Sequence, residues 1–260
     1  MKETNLPNIA VSGWFGAGST SLTLMLAWLF KFKLYPVTKV FRLLDQKLGF
    51  SKAGVALRKE FESEVQPKVG KTVDNYSDYK LMNLNGIILE SDIAAFRIGN
   101  HPKVFSLFLQ TNIEVRRERV KLEGREKAET AIGRRDSILK QVYLDLWNID
   151  IFDEELIKRK YSLVINNSKM TFIDEINVII ETLANDQIYK NAQDWNKFIP
   201  KVTKTVKLFQ EIGKAGMLKK LESKKLVASP EEMMQEITML YPEEIITLPE
   251  TIQKIFLGQK

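Results

Sequence analysis

Ile9-Ala10-Val11-Ser12 is an apolar run without alternation, which suits a strand buried on both faces. A glycine-rich turn follows at once, and Ser19 to Phe32 then reads as a leucine-dense helix. Strand, glycine turn and helix in that order open a βαβ unit. Leu34-Tyr35-Pro36-Val37 predicts a second short strand, with Pro36 limiting its pairing. Thr38 is placed to cap a helix through Phe41-Arg42-Leu43-Leu44, which Gly49 would end. A charged helical region is expected from Lys52 to about Val65, and another helix over Val73 to Met82.

Gly86 introduces a strand at Ile87-Ile88-Leu89-Glu90. Ile93 to Ile98 reads as helix, closed by Gly99-Asn100. Val104 to Leu109 is the clearest strand, Glu114 to Lys121 and Ala128 to Trp147 are basic helices, and Leu163 to Asn166 is a last strand before an amphipathic helix over Phe172 to Leu183. Short apolar strands alternating with helices, without tight-hairpin signals, predict an α/β fold with a five-stranded parallel sheet covered on both faces. Ligands of such sheets bind beyond the carboxyl ends of the strands. Ser12, Glu90 and Gln110 end three of them, so a site is expected there.

From about Asn185 the character changes. Arginine disappears, and short helices are punctuated by Pro200, Gly213, Gly216, Pro230, Pro242 and Pro249. The chain therefore divides into an α/β domain over residues 1–184 and an all-helical extension over 185–260. Val202, Val206 and Phe209, then Leu218, Leu221 and Leu226, predict helices docked on the body. Met233, Met234 and Met239 suit either an adaptable interface or plain core.

Composition narrows the chemistry. The 260 residues contain no cysteine, which excludes disulfides and thiolate metal sites. The single histidine, His101, sits in a Gly-Asn-His-Pro turn and is given no role. Leu22 to Phe30 is the most apolar stretch, about half the length that spans a bilayer, so a buried helix and a soluble, cytoplasmic protein without a membrane partner are expected. A net charge of +6 favours an anionic partner, although a solvated basic surface would look the same. The basic helices lack aromatic interleaving or a base-reading motif, so a nucleic-acid partner has no support.

The turn Gly13-Trp14-Phe15-Gly16-Ala17-Gly18-Ser19-Thr20 has the form of a phosphate-binding loop at a helix N-terminus. Backbone amides from Gly13, Gly16, Ala17, Gly18, Ser19 and Thr20 would cradle phosphate, and Thr20 offers a hydroxyl suited to Mg²⁺. Ser19 stands where such loops carry lysine.

Leu107 to Val120 reads strand, loop and then a Glu114-Val115-Arg116-x-x-Arg119 helix. Arg134-Arg135-Asp136, Tyr143, Trp147-Asn148-Ile149-Asp150, the strand Tyr161 to Ser168 and Val40-Phe41-Arg42 follow in register. In order and spacing these resemble the cytidylate kinases, particularly their archaeal-type branch, over roughly Asn8 to Leu183. The resemblance implies a five-stranded P-loop kinase fold with an arginine-bearing lid, here about 119–147. It also implies ATP with Mg²⁺ as donor and CMP or dCMP as acceptor. By matching positions Thr20 would ligate Mg²⁺ with Glu90 in its water shell, Arg42 would grip the acceptor phosphate, and Arg119 and Arg135 would serve the lid and donor side. Asp92 stands where the family has an acceptor-binding arginine, Leu122 at its first lid arginine, and Val142 at the arginine before Tyr143. Lys140, Arg125, Lys127 and Arg134 lie near enough in sequence to substitute.

Two readings follow. One is an active nucleotide kinase with a rewired set of cations. The other is a catalytically degenerate nucleotide-binding scaffold or regulator, with the lysine-rich extension as its protein-partner surface.

Overall fold

The computed structural model describes residues 6–48, 65–123, 128–192 and 194–259. Five parallel strands, β1 (Asn8–Gly13), β2 (Lys33–Pro36), β3 (Ile87–Glu90), β4 (Val104–Gln110) and β5 (Leu163–Asn166), form one sheet in the order β2-β3-β1-β4-β5. β1 lies at the centre, with Ile9 in register with Ile88 on one side and Phe105 on the other. Alternation within each strand feeds two cores. Ile9, Val11, Ile88 and Leu107 enter one, while Ala10, Ile87, Leu89 and Val104 enter the other.

Helices cover both faces. They are α1 (Ser19–Phe30), α2 (Thr38–Lys47), α3 (Val65–Asn83), α4 (Ile113–Leu122), α5 (Ala128–Trp147), α6 (Glu154–Lys160) and α7 (Phe172–Asn185). The extension adds α8 (Trp195–Ser223), α9 (Pro230–Leu240), α10 (Pro242–Ile246) and α11 (Glu250–Phe256). α8 packs on α1 and α7, while α9 and α11 pack on α2. Val202, Val206 and Leu221 join the first core, and Met233, Met234 and Ile237 the second. Met239 instead stays exposed. The extension thus shares both cores of the sheet. No described helix is long and apolar enough to cross a membrane.

Several expectations need correction. Ile93 to Ile98 forms successive turns, not a helix, because Ala95 adopts φ 60° and Ile93, Ala94, Ala95 and Phe96 are all buried, leaving no polar face. Thr38 is the first residue of α2 rather than its cap. The Val37 amide is tied to the Glu90 carbonyl at 2.9 Å, so the helix starts directly from the strand end. α3 begins at Val65, a turn or more earlier than expected, and α6 was not anticipated. The extension is helical as expected, and in the connection between two of its helices Val227 bridges Leu34, with Leu34 N–H donating to Leu226 at 2.9 Å and Ala228 N–H to Leu34 at 2.8 Å. That rung covers the exposed edge of β2. Gly49 and nearly all of the charged segment expected from Lys52 lie outside the described residues.

Candidate functional site

The turn between β1 and α1 is held by its own aromatic side chains. Trp14 points into a small core, stacking on Phe152 at 5.5 Å between ring centroids and donating Nε1–H to the Ile151 carbonyl at 3.1 Å. Phe15 lies against Val120 and Ile132, with the Arg135 guanidinium 4.2 Å from its ring centre. Gly16 (φ 84°) and Gly18 (φ 102°) bend the chain into the left-handed region. A β-carbon on Gly16 would also meet Val120 Cγ2 at 3.0 Å and the Arg116 carbonyl at 3.2 Å, so α4 seats directly against the turn. Among the described residues the amides of Gly16 and Gly18 find no hydrogen-bond partner. With the first free amides of α1, they leave a group of backbone donors at a helix N-terminus, where negative charge is favoured.

Polar side chains clamp the turn from outside. Arg119 donates Nη1–H to the Ala17 carbonyl at 2.9 Å and Nη2–H to the Asn167 carbonyl at 3.0 Å. Asn167 donates Nδ2–H to the same Ala17 oxygen at 2.9 Å and to Glu175 Oε1 at 3.0 Å, and its Oδ1 accepts from Thr111. Arg116 donates to both carboxylate oxygens of Asp136, at 3.1 and 2.7 Å, and to the Phe15 carbonyl at 3.2 Å. Although it stands in a densely basic helix, Arg116 is only 4% exposed. Arg116, Asp136 and Asn167 are therefore structural determinants that sequence reading missed. The E-V-R-x-x-R pattern signalled Arg116, but nothing in one dimension signalled its partner on α5.

Glu90 closes the other side. Thr20 Oγ1–H donates to Glu90 Oε1 at 2.7 Å and Ser19 Oγ–H donates to the same oxygen at 3.2 Å. Burial pushes the Glu90 carboxyl up, against those two hydrogen bonds and the positive charge of Arg42 and Lys39. The Thr20 hydroxyl and the Glu90 carboxylate are hard oxygen donors, of the kind that fit Mg²⁺. No cluster of three or more acidic or histidine ligands exists among the described residues, so any such ion would take its remaining ligands from phosphate and water.

The turn, Arg119 and Glu90 open onto one cavity of about 670 Å³, in the range of small-molecule sites. Gly13 to Thr20, Arg42, Glu90, Asp92, Arg119 and Arg135 all line it. The structure thus gathers the turn residues with Arg42, Glu90, Asp92, Arg119 and Arg135 at the carboxyl ends of the strands, while Arg134 does not line the cavity. Lys140 is elsewhere, paired with Asp150 at 2.6 Å, and Arg125 and Lys127 lie outside the described residues. Leu122, where the family pattern has a lid arginine, is 88% exposed at the cavity rim.

Comparison with known proteins finds relatives over the α/β part of the chain. Residues 8–169 match the cytidylate kinase-like family. A cytidylate kinase from Pyrobaculum islandicum is 25% identical over 181 residues, 68% of this chain and 92% of that one. A cytidylate kinase from Pyrococcus abyssi is 31% identical over 166 residues, 62% of this chain and 84% of that one. Among solved structures, a shikimate kinase from Acinetobacter baumannii in complex with shikimate superposes with a TM-score of 0.46 at 19% identity, over 71% of this chain and 96% of that one.

Proposed function

The chain belongs to the cytidylate kinase-like family, and from that premise we propose that it transfers the γ-phosphoryl group of ATP to CMP, dCMP or a related nucleoside monophosphate. One observation carries the reading: the phosphate nest, the Thr20–Glu90 pair, Arg42 and Asp92 converge on a single cavity.

The division of labour follows from the two sides of β1. The nest holds the donor phosphates with amides fixed before substrate arrives, and Arg119 keeps that geometry by bonding the Ala17 carbonyl. Bound Mg²⁺ would be held by Thr20, with Glu90 in its water shell, and would neutralise charge on the transferring group. Arg42, exposed on α2, grips the acceptor phosphate. Asp92 offers a carboxylate, which accepts hydrogen bonds from an exocyclic amino group such as that of cytosine. An acceptor phosphate oxygen attacks the γ-phosphorus, the bond from that phosphorus to the β-phosphate oxygen breaks, and ADP leaves. The acceptor phosphate is already anionic, so no protein nucleophile or general base is required.

A second reading has its own observation. Ser19 replaces the lysine, and its hydroxyl is spent on Glu90. A hydroxyl cannot follow charge on the phosphoryl group as an ammonium does, which favours a binding protein without turnover.

A coupled ADP-release assay across the nucleoside monophosphates, beside calorimetric titration of ATP with Mg²⁺, separates them. Turnover that Arg42→Ala abolishes while ATP still binds is the expected result. ATP binding without turnover selects the second reading, and absence of ATP binding defeats both.

A further inference from the structure

The segment Trp195–Ser223 is helical over 29 residues except at Gly213, whose φ of 65° and ψ of −176° break it. A straight helix of that length would run about 43 Å. Both of its ends nevertheless meet the last turns of α1: Phe198 stacks on Phe30 at 5.0 Å, and the Lys224 ammonium lies 5.1 Å from the ring centre of Trp28. The helix is therefore folded back on itself as a hairpin with its tip at Gly213. A β-carbon on Gly216 would stand 2.7 Å from Ile212 Cβ, so the two arms touch just past the bend.

That tip reaches the cavity. Phe209, Gln210, Gly213 and Lys214 line it together with the phosphate turn, and Lys214 forms an ion pair with Glu123 at the end of α4. The family match stops at residue 169, so this wall is added by a part of the chain outside it.

The cavity lining comes from both sides of β1. Arg42 and Asp92 follow β2 and β3, on one side. The tip lies on the other side, where Phe209 meets Phe172, with Arg119 after β4 and Met170 after β5. Here the lining turns apolar: Phe209 packs on Phe172 with ring centroids 5.3 Å apart, Met170 is beside them, and exposed Leu122 forms the rim. One cavity thus offers amides and hydroxyls at its centre and flat apolar surface at this end. A ligand that matches both is a polyanion joined to an aromatic base.

We propose that the hairpin tip of the C-terminal extension is the base-binding wall of the triphosphate site, with Phe209 packing on the base and Gln210 meeting its polar edge. The inference rests on the nucleotide reading above and deepens it. The extension then completes the active site rather than serving only as a docked appendage.

Calorimetry on the full chain with Mg·ATP and, separately, with inorganic tripolyphosphate tests this. Phe209→Leu keeps apolar volume at a half-buried position, and Gln210→Ala changes an exposed one, so both variants should fold. Each is expected to weaken ATP at least tenfold while leaving tripolyphosphate unchanged. ATP binding equal to that of the unmodified chain, or equal weakening of both ligands, overturns the proposal while the phosphate-turn reading stands. An unmodified chain that binds neither ligand removes the two together.

Discussion

Asn167 donates its side-chain N–H to the Ala17 carbonyl at 2.9 Å, joining the end of β5 to the glycine-rich turn across 150 residues of sequence. The same oxygen accepts from Arg119, so α4 and the end of β5 together hold one peptide of the turn. Asn167 is fully buried, and its side-chain bonds to Glu175 and Thr111 saturate both ends of the amide. Asn167→Ala strands several buried polar groups at once. It should lower stability by roughly 2–4 kcal/mol in urea titration, and should weaken tripolyphosphate binding as the turn loosens. Unchanged affinity would mean that Arg119 alone suffices.

Glu175 gives a pH signature. Burial pushes its carboxyl up to about 7 from an ordinary 4.5, against the charge of Arg119 and the bond from Asn167. The folded state then holds a proton that the unfolded state has released. Its contribution is fully favourable below about 4.5, falls as pH rises toward 7, and is level above. The loss should reach about 3 kcal/mol. In Glu175→Gln, which keeps an acceptor for Asn167, the melting temperature should decline less between pH 5 and 8 than in the parent. Parallel profiles would contradict the assignment.

The bidentate Arg116–Asp136 pair is almost dry, with side chains 5% and 15% exposed. Asp136→Asn removes the compensating charge and leaves a guanidinium buried beside Trp14 and Phe15. A cost of about 3–5 kcal/mol is expected in chemical denaturation. A loss below 1 kcal/mol would indicate that water reaches the guanidinium.

Ser19→Lys restores the ammonium whose absence marks this turn. Under the kinase reading ATP should bind on the order of tenfold more tightly, about 1.4 kcal/mol, and turnover should rise with it. The new ammonium would also meet Glu90, which Ser19 now touches at 3.2 Å. No gain in either quantity would argue that the donor phosphates lie elsewhere.

The sheet was legible because its strands are short, continuous apolar runs, a pattern that needs no partner to be recognised. Ile87 to Glu90 and Val104 to Gln110 appear where their sequences place them. Ile93 to Phe96 was not legible. An unbroken apolar stretch fits buried turns as well as a helix, and only the surrounding core decides between them. The candidate site was legible where function needs a special backbone, as at Gly16 and Gly18, and where charge ends a strand, as at Glu90.

The sequence by itself determined the order of the five strands and the glycine-bent turn, since these depend on neighbours within a few residues. Tertiary structure alone decided which arginines are structural ties, that Asn167 braces the turn, and that a hairpin from beyond residue 195 reaches the cavity wall. Those contacts join residues tens to nearly two hundred positions apart. Side-chain periodicity reports which face of an element is buried, but carries no record of what buries it.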